Sequence, residues 1–500
     1  MSKIKNIAVI STSLNSGGAE RIAGLLSKKL ASKYNVYLFL LSTDNIVYEY
    51  GGTIIDIGKE MSFYEHSIRS AKEKYDIDIS ISFLEIMNFA NIRTKGKDKV
   101  IISERCVQSL FQPSLDAQTY KIKKYYNYAD GIVACSYGVK HDLISNYSVN
   151  NVIKVIYNFI NQDRILELAQ CELDAEIKGF VGEEEFFLNV GRLHPQKNQV
   201  AIIETFAKFV ETNNNYKLLI LGSGELEEDL NHLINNKGLS DFVKVIPYDP
   251  NPYRYMSRAK GMILASKFEG LPNAILEAMT VKCPIIATDC LAGPRELLGR
   301  IKDYAEVIDN NIHIMDRGVI LPFYNNNNNL NVNLLLESMH IIDKDSDLIN
   351  SIKANQKKYM DEYNNEQILD EWIEFIKNTD RKDDVFDIEN EIDEAKKTFI
   401  YGCGMIGTAY YLALKEIMNI DGFVVTENKQ CLSEYIGIPV YEVNNVPYSK
   451  DEVQFIIGTI ESTQDEIIRS INCNGFKNII EPYIVPNNES LNFLRNYFNK

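Results

Sequence analysis

Short runs of apolar residues alternate with stretches of helical periodicity, and the alternation comes in three series. In the first, Ile7–Ile10 reads as strand, Ala19–Ala31 as helix and Val36–Leu41 as strand. Ile77–Phe83, Val100–Ser103, Ile132–Cys135 and Val152–Ile156 continue it as strands. Strands separated by helical stretches predict parallel βαβ units. A second series begins near residue 185. Phe186–Val190 reads as strand, Ala201–Glu211 as helix, Tyr216–Leu221 as strand and Leu226–Asn236 as helix. Val243–Ile246, Met262–Ala265 and Pro284–Ala287 are its further strands. Residues 346–378 read as helical, with Trp372, Ile373, Phe375 and Ile376 on an apolar face. The third series starts with strand Thr398–Tyr401, passes through the helical stretch Thr408–Met418, and adds strands at Gly422–Val425, Phe455–Gly458 and Asn478–Ile480.

The predicted architecture is α/β, with two doubly wound, Rossmann-like domains facing a cleft and a small Rossmann-like appendage behind them. The expected boundaries are 1–165, 166–345, crossover helices at 346–378, an acidic linker or exposed helix at 379–396, and the appendage at 397–490. The appendage is too short for a complete six-stranded Rossmann sheet by this reading. In doubly wound sheets ligands bind outside the carboxyl ends of the strands, so the cleft is the expected site. The asparagine run Asn325–Asn329 reads as a solvated loop.

Length and composition narrow the class. A chain of 500 residues exceeds one ordinary core. Its 45% hydrophobic and 24% charged content is that of a soluble globular protein. A net charge of −16 argues against nonspecific nucleic-acid binding, which needs a broad basic face. The eight cysteines form no Cys-x-x-Cys pair, so structural zinc is not expected and reduced cytosolic thiols are. The segment Lys3–Ile10 reads as a strand rather than a signal sequence. No apolar run approaches the roughly 18 residues of a membrane span. The expected location is cytoplasmic, with the inner face of the plasma membrane left open.

Chemistry concentrates in the loops after strands. Phe268-Glu269-Gly270-Leu271-Pro272-Asn273-Ala274-Ile275-Leu276-Glu277 sets two carboxylates on either side of a turn. Glu269 is expected on a strand-to-helix loop and Glu277 about two turns into the helix. A helix N-terminus offers free N–H groups and a positive dipole end to a phosphate, and carboxylates accept hydrogen bonds from sugar hydroxyls. Together they point to a sugar joined to a nucleotide diphosphate. Gly191-Arg192-Leu193-His194-Pro195-Gln196-Lys197-Asn198 follows a strand and carries two cations suited to neutralising a leaving diphosphate. His194 reads as structural. Gly17 and Gly18, in Ser16-Gly17-Gly18-Ala19-Glu20-Arg21, allow a close backbone approach or simply make a tight turn. Gly222 and Gly224 form a third glycine turn, and Pro247–Tyr253 offers either an aromatic for a base or a rigid proline loop.

The order of these features resembles family 4 glycosyltransferases, retaining enzymes of the GT-B fold, over residues 1 to about 378. Phe268–Glu277 is similar to that family's Glu-x7-Glu motif. By this resemblance Arg192 and Lys197 bind the donor diphosphate, Glu269 with the Gly270–Leu271 backbone holds the donor sugar, and Glu277 holds the ribose. Gly17 and Gly18 approach the diphosphate from the other domain. The implied reaction needs no metal or cofactor. It moves a hexose or N-acetylhexosamine from a UDP-sugar to a glycan or lipid-linked glycan acceptor in surface-polysaccharide assembly. A nucleotide-sugar epimerase and a non-catalytic partner of the same fold are the alternatives. Many family members carry a histidine where this chain has Ile102-Ser103-Glu104-Arg105. Glu104 and Arg105 either meet donor or acceptor or form a structural ion pair.

Two further features stay open. Gly402, Gly404 and Gly407, with Glu427 after the next strand, have the spacing of a dinucleotide fingerprint. A bound nucleotide and a structural or partner-binding role both fit. Tyr120-Lys121-Ile122-Lys123-Lys124-Tyr125-Tyr126 is basic and aromatic, which fits either peripheral contact with lipid headgroups or an ordinary amphipathic helix.

Overall fold

Strand β1 (Asn6–Ser11) sends Ile7 and Val9 to one face of a sheet and Ala8 and Ile10 to the other. Both faces are covered, which is why its central residues Ile7–Ile10 are all apolar rather than alternating. Residues 4–58, 64–111, 116–304, 310–324, 332–384, 392–415, 418–427, 432–458 and 461–480 are described by the structure, a computed structural model. The asparagine run at 325–329 and residues 385–391 lie outside them.

The first lobe adds β2 (Asn35–Leu40), β3 (Thr53–Asp56), β4 (Ile79–Phe83), β5 (Lys99–Glu104), β6 (Gly131–Ala134) and β7 (Ile153–Val155). These form a parallel sheet in the order β3-β2-β1-β4-β5-β6-β7. The order reverses between β1 and β4, the switch point where ligands bind such sheets. Strand β3 was not legible in sequence because it is a four-residue, half-buried edge. The helix Gly18–Leu30 buries Ile22, Ala23, Leu26 and Leu30, a stripe at helical spacing.

The second lobe repeats the plan with β8 (Glu185–Val190), β9 (Tyr216–Leu221), β10 (Val243–Ile246), β11 (Gly261–Leu264), β12 (Ile285–Thr288), β13 (His313–Met315) and β14 (Gly318–Leu321). Its order is β10-β9-β8-β11-β12-β14-β13, with the switch point between β8 and β11. The antiparallel hairpin β13–β14 closes one edge and is too short to leave a period. One apolar cluster runs from Ile102 and Ile132 in the first lobe to Leu264 and Ile285 in the second. The two lobes therefore share buried contact along one side of the cleft.

The expected helical stretch 346–378 is two helices. Ser346–Glu362 lies on the second lobe, where Gln356 Nε2 donates to the carbonyls of Cys283 and Arg317 at 2.9 Å each. Asn364 caps the next helix by accepting from the Glu366 backbone at 2.8 Å. That helix, Asn365–Asn378, crosses back to the first lobe, with Trp372 buried 6.3 Å from the Phe83 ring.

The start of the expected linker is not free. Arg381 donates to the Gly96 carbonyl at 2.8 Å, and Lys382 to the Asn127 carbonyl and Asn151. The third domain then forms a six-stranded sheet among the described residues, with an antiparallel edge strand; it was expected to be too short for a complete six-stranded Rossmann sheet. The strands are β15 (Lys397–Tyr401), β16 (Gly422–Val425), β17 (Glu434–Tyr435), β18 (Ile438–Glu442), β19 (Val453–Ile457) and β20 (Ile479–Ile480). The order is β17-β18-β16-β15-β19-β20, and two of the strands are only two residues long. Its helix Glu461–Cys473 packs on the helix Asp116–Tyr125 of the first lobe.

That packing bears on the basic, aromatic segment. Lys121, Ile122, Tyr125 and Tyr126 are buried, the last two against Phe89. These four serve the core, while Lys123 is exposed and Lys124 half-buried; the side chain of Tyr120 is not among those described. Among the described residues no helix is long and apolar enough to cross a membrane.

Candidate active site between the lobes

The loops after β8 and β11 are tied together at the switch point of the second sheet. Gln196 Nε2 donates to the Phe268 carbonyl and Lys267 N–H to the Gln196 carbonyl, each at 2.8 Å. This brings Lys197 onto Glu269, and the ammonium bonds to Glu269 Oε1. Both side chains are mostly buried, so the pair is weakly screened. Arg192 behaves differently. Its side chain is exposed and makes no hydrogen bond or ion pair among the described residues, while its carbonyl accepts from Gln199 at 3.0 Å. His194 Nδ1 accepts from the Gln196 backbone at 3.1 Å, shaping the loop.

Close backbone approach explains the glycines. A Cβ on Gly222 would lie 2.0 Å from the Gly191 carbonyl oxygen, and one on Gly224 2.4 Å from that of Leu193. A Cβ on Gly270 would meet the Arg105 carbonyl oxygen at 1.8 Å, across the cleft. Gly17 has φ +87°, and a Cβ on Gly18 would stand 3.1 Å from Asn273 Nδ2. The start of helix Gly18–Leu30 in the first lobe therefore meets the start of helix Asn273–Thr280 in the second. Leu271 is held from the first lobe, its carbonyl accepting from Asn158 Nδ2 at 3.2 Å.

Glu277 is the fifth residue of its helix, so it lies about one turn in, not two. The helix begins at Asn273, directly after Pro272, which shortens the distance read from sequence. Glu277 Oε1 accepts from Arg21 Nη1 at 2.5 Å and from the Tyr253 hydroxyl at 3.4 Å. Arg21 Nη2 also donates to Tyr253 at 3.3 Å. Burial works against the Arg21 charge, but Glu277 and then Tyr253 outweigh it and hold the guanidinium pKa above its usual value.

Glu104 and Arg105 do not pair with each other. Glu104 is buried, with Oε1 accepting from the Arg105 and Cys106 backbones and from Gln108, and Oε2 from Tyr126 at 2.6 Å. Burial pushes its carboxyl up to about 7, against those hydrogen bonds. The Arg105 guanidinium turns to Asn158 Oδ1, while Asn158 Nδ2 also donates to Asn273 at 2.6 Å. Val107 N–H reaches the Glu269 carbonyl at 3.3 Å.

Sequence reasoning passed over several residues. Glu20 folds back onto the glycine loop, accepting from Thr12 at 2.7 Å, Ser13 at 2.5 Å and the Ser16 backbone at 3.3 Å. Arg21 stood in the quoted glycine segment without a role, although its place one turn into the helix was readable. Glu296 reaches across the lobes and accepts the backbone N–H groups of Tyr137 and Gly138 at 3.0 Å each. In the third domain, Gly402 (φ +105°) precedes the helix Met405–Leu414, and a Cβ on Gly407 would lie 1.9 Å from the Gly402 carbonyl oxygen.

Two Rossmann-type lobes joined by a returning C-terminal helix, with charged loops meeting at the switch points, define the GT-B class. Residues 172–330 match the family described as glycosyl transferases group 1. A glycosyltransferase of Methanocaldococcus jannaschii is 34% identical over 188 residues, covering 37% of this chain and 46% of that one. The chain thus spans less than half of that relative. A Campylobacter jejuni undecaprenol-diphosphate-glycan N-acetylgalactosaminyltransferase is 28% identical over 317 residues, covering 59% of this chain and 84% of its own. The fold matches that of the Anabaena protein HepE, solved with UDP-glucose, at a TM-score of 0.58 and 15% identity, over 74% of this chain and 99% of that one. The match to the group 1 glycosyl transferases lies in the second lobe.

Proposed function

We propose that this glycosyltransferase moves a hexose or N-acetylhexosamine from a UDP-sugar to a glycan or lipid-linked glycan in surface-polysaccharide assembly, with retention and without a metal. The observation that carries the reading is the Lys197–Glu269 contact between the two switch-point loops, the second of which leads into the helix start that Gly18 approaches. Arg192, which is exposed, and the mostly buried Lys197 take the donor diphosphate, and Glu269 with the Gly270–Leu271 backbone takes the sugar hydroxyls. Glu277 takes the ribose. The first lobe, residues 1–165, presents the acceptor, and residues 166–345 bind the donor.

Charge develops on the sugar ring and on the departing diphosphate as the glycosidic bond breaks. Fixed cations and the start of helix Asn273–Thr280 stabilise the second without reorganising. The leaving phosphate receives the acceptor proton on the same face, which gives an α-linkage. Contact between the lobes keeps water from the donor. Relatives named for action on undecaprenol-linked glycans support the acceptor class.

The test is a screen of UDP- and GDP-sugars that reads nucleotide release with undecaprenyl-linked acceptors supplied. Acceptor-dependent UDP release and an α-linked product are expected, and Glu269→Ala abolishes both. Turnover of a nucleotide sugar without any acceptor would mark an epimerase instead.

A further inference from the structure

Glu277 has two carboxylate oxygens, and the protein uses them unequally. Oε1 is engaged by Arg21 at 2.5 Å and by Tyr253 at 3.4 Å, while Oε2 has no hydrogen-bond partner among the described residues. A carboxylate pinned through one oxygen presents the other in a fixed direction. The pin comes from the opposite lobe. Arg21 is one turn into the helix that opens at Gly17 and Gly18, and Glu277 is one turn into the helix that opens at Asn273. The two helix starts touch where Gly18 approaches Asn273. Arg21 itself is held at both ends of its fork, by Glu277 through Nη1 and by Tyr253 through Nη2 at 3.3 Å.

We propose that Arg21 is a positioning residue of the donor site: it fixes Glu277 Oε1 from the first lobe so that Oε2 receives the donor ribose, making ribose recognition depend on contact between the lobes. This rests on the assignment of the ribose to Glu277. The ribose site is then built by both lobes although only one of them touches the sugar. Tyr253 completes the brace from the second lobe. An ammonium at position 21 supplies a point charge without the fork, so Arg21→Lys restores the site only in part.

The experiment compares binding of UDP and 2′,3′-dideoxy-UDP to the full chain. A hydrogen bond to a charged group discriminates by about tenfold or more. The wild type prefers UDP by that ratio. In Glu277→Gln and in Arg21→Ala the ratio falls toward one, and the double variant falls no further than Glu277→Gln alone. Arg21→Lys and Tyr253→Phe give intermediate ratios, and carry the comparison should Arg21→Ala not fold. If Glu277→Gln loses the preference while Arg21→Ala, Arg21→Lys and Tyr253→Phe keep it in full, the positioning role is overturned and the ribose assignment stands. If Glu277→Gln keeps the preference, the ribose assignment fails and the positioning role fails with it.

Discussion

Glu296 of the second lobe accepts the Tyr157 hydroxyl of the first at 2.9 Å. The same carboxylate caps the helix Tyr137–Ser145 by accepting the N–H groups of Tyr137 and Gly138, and takes a further bond from Tyr304 at 2.6 Å. A negative side chain at a helix start is favourable, and here it comes from another lobe. Burial first, and then Glu296, push the Tyr157 phenol well above its usual pKa.

Glu296→Ala therefore strands two backbone donors and two hydroxyls in a buried place. The expected loss is about 2–4 kcal/mol of unfolding free energy, read by denaturant titration. A change within about 0.5 kcal/mol, the scale of a plain surface substitution, would mean the lobes are not joined there.

Glu104 makes stability fall as pH rises. Its folded carboxyl titrates near 7, raised from 4.5. Between those values the folded state holds more proton than the unfolded one, so raising the pH through that window costs stability, to a total of about 3 kcal/mol. Below the window the term is absent, and above it the loss is complete. Glu104→Gln removes the term, so its stability relative to wild type climbs between pH 5 and 7 by an amount of that order. A flat difference across the window would show that the carboxyl titrates normally.

Lys197 and Glu269 are coupled. Lys197→Ala is expected to cut donor kcat/KM about 100-fold by removing a cation from the leaving group. It also leaves Glu269, whose side chain is 11% exposed, without its partner. The double variant with Glu269→Ala should therefore lose less stability than the two single losses added, by about 0.5–3 kcal/mol. Strict additivity in thermal unfolding would count against the pair.

Gly270→Ala tests the contact between the lobes. The added Cβ would lie 1.8 Å from the Arg105 carbonyl oxygen, a backbone atom that cannot swing away. The lobes must part, so transfer falls about 100-fold through misplacement of the reacting groups. Small-angle scattering should give a larger radius of gyration than wild type. Full activity with an unchanged envelope would show that the approach is not needed.

Trp372 is the chain's single tryptophan and anchors the returning helix on the first lobe. Trp372→Ala is expected to cost about 3–5 kcal/mol, while Trp372→Phe keeps most of the stability. Equal stability of the two variants would show that the helix is not held by this side chain.

The local pattern of the sequence was enough for the parallel sheets and for the loops that carry chemistry. Strand segments such as Ile7–Ile10 and Leu218–Leu221 are apolar because helices cover both faces, and that requirement is written residue by residue. The loops after β8 and β11 announce themselves by glycine, charge and proline. Short edges such as β3, β13 and β17 leave no period to read. The partners of the site residues were beyond local pattern. Arg21 and Glu277 are 256 positions apart, and Gly138 and Glu296 are 158 apart. Which charges meet across the cleft depends on how the two lobes dock, and docking is fixed by an apolar cluster drawn from both lobes together with glycines that let backbones touch. A sequence records each surface separately; only the folded chain chooses which surfaces face each other.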